Sequence, residues 1–153
     1  MGAAFFYHLT EGPAEEVLPQ LLVQAGRKGW RVELRGRDAR AMERLDLALW
    51  RAGPPDAFLP HGLAGGAHDA AQPVLLTVAG GDAPGLPCVI CLDGAETAPE
   101  EVNAAERVCI LFDGFDESAV QAARGQWKRL TGAGCSAQYW AQEDGRWVKK
   151  AEG

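Results

Sequence analysis

The sequence predicts an α/β fold, a single domain built as a three-layer sandwich around a mostly parallel central sheet. Three observations predict it. The 153 residues are enough for one packed core and few for two. Three runs, PVLLTV (73–78), PCVICL (87–92) and RVCILF (107–112), are almost continuously apolar, as strands covered on both faces by helices are. Strand-like and helix-like segments also alternate along the chain, the order that lays parallel strands together with helices on the faces.

Taken in order, Ala3 to Leu9 (AAFFYHL) is short and aromatic-rich, which suits an opening strand, and Thr10-Glu11-Gly12-Pro13 supplies turn chemistry. Val17, Leu18, Leu21, Leu22 and Ala25 then recur at helical spacing from Glu15 to Lys28, with Pro19 near the first turns and Gly29 as terminator. Trp30 to Leu34 alternates like a strand and Arg35-Gly36-Arg37 reads as a turn. Asp38 caps a helix whose apolar side carries Met42, Leu45 and Leu49. Residues 52–72 hold no period and are rich in Gly and Pro, so a long loop is expected there. Thr97 to Glu106 reads as a short helix. Asp116-Glu117-Ser118 caps a longer one that runs to about Thr131, before Gly132-Ala133-Gly134. A strand from Ser136 to Trp140, a turn at Asp144-Gly145 and the segment Arg146 to Lys149 predict a terminal hairpin and an antiparallel edge.

Composition and motifs narrow the function. Fifteen Lys and Arg against twenty-one Asp and Glu give a net charge of -6, which opposes a main role in wrapping nucleic-acid phosphates; DNA is expected to be reached only through another protein. No apolar stretch approaches a bilayer span, so no membrane association is expected. MGAAFFYHLTEG lacks the basic start and apolar core of a secretory leader, which makes the cytoplasm the expected location. Cys88 and Cys91 form a C-x-x-C inside a strand-like run, where a three-residue offset sends the two sulfurs to opposite faces. With Cys109 and Cys135 they read as buried thiols, and no metal or other cofactor is expected. The three histidines, His8, His61 and His68, stand near no nucleophile elbow, and Gly65-Gly66 and Gly80-Gly81 lack the rest of a phosphate loop.

Two constellations remain. On the helix from Asp116 to Thr131, Ala119, Ala122, Ala123 and Leu130 line one side, while Val120, Arg124, Trp127, Lys128 and Thr131 form a second stripe displaced from it. A tryptophan between two cations there is either an ordinary boundary residue or the anchor of a peptide that brings carboxylates and an apolar side chain. Charge asymmetry favours the anchor: Gly80 to Glu117 holds nine acidic residues and Arg107 as its sole cation, whereas Arg124 to the end holds six Lys or Arg against three acids. The second constellation is Leu45-Asp46-x-Ala48-Leu49-Trp50 followed by Phe58-Leu59-Pro60-His61-Gly62-Leu63-Ala64-Gly65. Its two large aromatics either plug the end of the core or form an apolar patch for a partner chain.

LDLALW, the spaced FLPHGLAG, the opening FFYHL and the late helix with Arg124 and an aromatic at 127 together resemble the chi subunit family of the bacterial DNA polymerase III holoenzyme, in order and spacing from residue 3 to about 140. The resemblance implies a single α/β domain without catalytic residues, an accessory of the clamp-loader assembly. It implies that the acidic, Phe-terminated carboxyl-terminal tail of single-stranded DNA-binding protein binds at Val120, Arg124, Trp127 and Lys128. Val120 and Trp127 stand where family members commonly carry a basic residue and a tyrosine, and Asp113 where an apolar residue helps form the pocket. A second implied surface, for the psi subunit of the clamp loader or a helicase-type repair partner, comprises Trp50, Phe58, Leu59, Pro60 and His61. The competing class is an α/β enzyme, which a buried polar triad near His61 would favour.

Overall fold

A computed structural model describes residues 2–51, 61–63, 73–79 and 85–153, with the backbone alone at Glu15 and Trp50. Its elements follow in the order β1 (Ala3–Leu9), α1 (Ala14–Arg27), β2 (Val32–Gly36), α2 (Ala39–Arg51), β3 (His61–Leu63), β4 (Val74–Val78), β5 (Cys88–Cys91), α3 (Pro99–Ala104), β6 (Arg107–Asp113), α4 (Glu117–Gly132), β7 (Ser136–Glu143) and β8 (Arg146–Glu152). The strands form one sheet in the order β3-β4-β2-β5-β6-β1-β7-β8, parallel except for the β7–β8 hairpin. The predicted single-domain α/β sandwich is therefore the observed one.

Strand alternation splits the core into two layers. Tyr7, Leu9, Val32, Leu34, Ile90 and Leu111 face α1 and α2, whose Val17, Leu18, Leu22, Met42, Leu45 and Leu49 cover them. Ala4, Phe6, Val89, Val108, Ile110 and Phe112 face α3 and α4 through Val102, Ala123 and Leu130. Cys88 lies in the first layer and Cys91 in the second, so the C-x-x-C sulfurs diverge as expected. All four cysteines are buried and unbridged.

Several local expectations shift. Arg35 and Gly36, read as a turn, are the end of β2, and Arg35 is buried there because its guanidinium finds acidic partners. Within the segment expected to be a loop, His61–Leu63 pairs with β4 as the edge strand β3; the rest of 52–72 lies outside the described residues. β7 runs three residues beyond the predicted strand, and the hairpin closes through Asp144 (φ 51°) and Gly145 (φ 75°), two left-handed residues that match the twist of the strands. Among the described residues no helix is long and apolar enough to cross a membrane.

Candidate functional site

The Asp116 side chain accepts hydrogen bonds from the backbone N–H groups of Ser118 (3.0 Å) and Ala119 (3.3 Å), which fixes where α4 begins. From that start the helix seats Ala123, Gln126 and Leu130 in the core. Gln126, which the helical spacing places in line with Ala122, Ala123 and Leu130, is accepted on this side because its amide accepts from the Thr97 N–H and donates to the Ala95 carbonyl.

Part of the second stripe, Val120 and Trp127, meets the core and β7 rather than open solvent. Trp127 is half-buried, not fully displaced from the core: its ring meets Phe6 edge-on at 5.3 Å and Tyr139 at 6.2 Å. The physical reason lies in the topology. α4 connects β6 to β7 across β1, so the flank of the helix overlooks β7. At the far end of β8 the backbone of Gly153 closes on the same ring, where an added Cβ would lie 3.0 Å from Trp127 Cζ2 and 2.8 Å from Thr131 Cγ2. Val120 is half-buried against the same cluster, while Arg124 and Lys128 are exposed. Neither cation makes a hydrogen bond or ion pair among the described residues.

Two residues that the sequence reading left out complete this surface. His8 Nδ1 lies 2.6 Å from the Tyr139 hydroxyl, and the His8 ring packs on Phe112 at 5.1 Å. Burial raises the Tyr139 pKa above its ordinary value, while the positive charge of Arg124 opposes the rise, which places the guanidinium within electrostatic reach of the phenol. Gly114 permits the arrangement, since any Cβ there would collide with the His8 ring. Period two along β1 could have found His8, which shares the α4 face with Ala4 and Phe6. Tyr139 had no such signal, because its place beside α4 depends on strand order.

Chemically the surface offers a guanidinium and an ammonium, both without a partner among the described residues, and an aromatic and aliphatic wall. Asp113 stands apart from that wall: it is exposed at the end of β6, its Oδ1 accepting from the Phe115 N–H at 2.9 Å.

Of the second constellation, Phe58, Leu59, Pro60 and the side chain of Trp50 lie outside the described residues. His61 is described, and it is 3% exposed, with Nε2 at 3.0 Å from the Asp46 carbonyl oxygen and 3.3 Å from Asp46 Oδ1. Elsewhere the neighbouring Cys109 thiol, followed by Arg107 and Lys28, holds the Cys88 pKa down against the opposing effect of burial, while burial pushes Cys91 up to about 12. Among the described residues no group of three or more His, Cys, Asp or Glu could hold a metal ion.

The family model described as DNA polymerase III chi subunit, HolC, matches residues 1–138. Comparison with curated proteins gives no match. The matched range holds β1 through α4, including Val120, Arg124, Trp127 and Lys128, and ends inside β7. On that match the chain belongs to the DNA polymerase III chi subunit family, a family of DNA-replication accessory subunits.

Proposed function

We propose that this chain is a non-catalytic adaptor that links the DNA polymerase III clamp loader to single-stranded DNA-binding protein by gripping the acidic, Phe-ended tail of that protein. The observation that carries the reading is Arg124: exposed, without hydrogen bond or ion pair among the described residues, and one turn from the half-buried Val120 and Trp127. A guanidinium in that setting can fork onto the terminal carboxylate with two parallel N–H···O bonds. The terminal Phe ring then rests on the wall of Val120, Trp127 and Tyr139. Lys128, on the same stripe, attracts the acidic residues upstream without fixing their geometry. The Tyr139 hydroxyl already engages His8, so it shapes the wall rather than competing for the carboxylate. DNA is reached only through the tail-bearing protein.

The second partner, psi or a helicase-type protein, is assigned to Trp50, Phe58, Leu59, Pro60 and His61, of which His61 alone has its side chain among the described residues. The buried His61 ring ties β3 to α2 through Asp46.

Titrating a labelled tail peptide against the protein and against Arg124→Ala, with a peptide lacking the terminal Phe as control, tests the tail reading. Binding in the micromolar range that weakens about tenfold or more without Arg124, or without the Phe, is the expected result, since a charge-assisted pair contributes about 1.5–3 kcal/mol. Equal binding by both proteins, or none at low salt, overturns it.

A further inference from the structure

The flank of α4 that faces away from Arg124 borders a groove of about 890 Å³ at the carboxyl ends of β1, β5 and β6. Its floor is apolar, from Leu92, Ile110, Phe112, Ala119 and Ala123. Its rim carries Glu11, Asp93, Asp113 and Asp116 against a single lining cation among the described residues, Arg37. None of these four carboxylates makes an ion pair among the described residues. Asp113, Asp116 and Glu11 accept backbone N–H bonds, which hold their oxygens in place without cancelling their charge. Phe115, on the turn between β6 and α4, borders the same groove with 80% of its surface exposed, the largest value among the exposed large apolar residues described.

An isolated exposed phenylalanine needs no explanation, but one at the lip of an apolar groove presents a contiguous surface that a partner can cover. The unneutralised carboxylates around the rim then select the partner's charge. An anionic segment would be repelled, and a neutral apolar one would bury this lip without any compensating pair for the carboxylates.

We propose that this groove docks a partner-protein segment in which Lys or Arg flanks a bulky apolar side chain: the apolar group enters beside Phe115 and the cations pair with Asp93 and Asp113. α4 would thus separate two sites of opposite preference, an acidic ligand beside Arg124 and a basic one beside Phe115. The two can be filled together, which suits an adaptor.

The test uses the full chain labelled with 15N and three probes: a Lys-Leu-Arg-Phe-Lys peptide blocked at both ends, its charge-reversed Glu-Leu-Glu-Phe-Glu counterpart, and Lys-Ser-Arg-Ser-Lys. The expected result is that the first peptide alone shifts the amides of Gly94, Phe115 and Ala122. Its affinity is expected to fall at least tenfold in Phe115→Ser and in Asp93→Asn/Asp113→Asn, and to hold in Arg124→Ala. Shifts spread over the whole surface, equal shifts with the other two peptides, or unchanged affinity in both groove variants would overturn the proposal. Phe115 is so exposed that its replacement leaves the core untouched, and the Asn variant provides a second reading that does not depend on it.

Discussion

Arg35 and Arg124 place the same side chain in opposite circumstances. Arg35 is buried on β2, and all five of its N–H groups are used: Nε and Nη2 reach Glu33 at 2.9 and 3.1 Å, Nη1 and Nη2 reach Glu101 at 3.1 and 2.5 Å, and Nη1 reaches the Glu96 carbonyl at 2.9 Å. Thr77 donates a further bond to Glu33 at 2.6 Å. The guanidinium is held charged by these partners despite its burial. Arg124 is exposed and has none among the described residues. A fully satisfied arginine clamps β2 to α3 and has nothing left to offer a ligand; an unsatisfied one contributes little to the fold and keeps its whole donor set for a partner.

Replacing each arginine by methionine should break the comparison most sharply. Arg35→Met leaves two carboxylates facing each other with their cation gone, and it should cost about 3–5 kcal/mol in urea unfolding. Arg124→Met should stay within about 0.5 kcal/mol of the parent in the same assay, as surface changes do, while losing tail binding. Comparable destabilisation by the two would show that Arg124 is a structural residue.

The two regions also differ in how far the sequence discloses them. Arg124, Trp127 and Lys128 lie on one helix, and spacing alone assembles them into a stripe. The clamp around Arg35 joins β2, β4 and α3, and the residues that neutralise the guanidinium are 2 and 66 positions away. A charged residue just before a glycine reads as a turn until its distant partner is known, as Arg35 and Gly36 do. The apolar runs at 73–78, 87–92 and 107–112 were legible because strands buried on both faces need no polar alternation. For Trp127 helix geometry gives the direction of the ring, but only the placement of β7 beside α4 shows what it rests on.

A middle-sized effect sharpens the binding region. Tyr139→Phe keeps the ring against Trp127 and removes the bond to His8, so it should cost about 0.5–1.5 kcal/mol of stability. Gly114→Ala should exceed it, at about 1–3 kcal/mol, because the new methyl must displace His8 and also sits 2.8 Å from the Leu9 carbonyl oxygen. If wall and fold are coupled as the contacts imply, both variants should weaken tail binding in proportion to how far His8 and Tyr139 move, read from amide shifts. Stability lost without any change in binding would separate the wall from the site.

The smallest effect concerns pH and returns to the clamp. The hydrogen bonds from Arg35 hold the Glu101 carboxyl below its usual value of 4.5, against the opposing effect of burial. A carboxyl depressed in the folded state binds its proton more readily when unfolded, so its contribution to stability is present above the ordinary glutamate range. That contribution is lost as pH falls through the lowered folded value. The difference in unfolding free energy between the parent and Glu101→Gln should therefore be constant from neutral pH down to about 5 and shrink below that. A difference that instead stays flat on acidification would mean that Arg35 is held by Glu33 alone, and that α3 is fastened to the sheet by its Val102 packing rather than by charge.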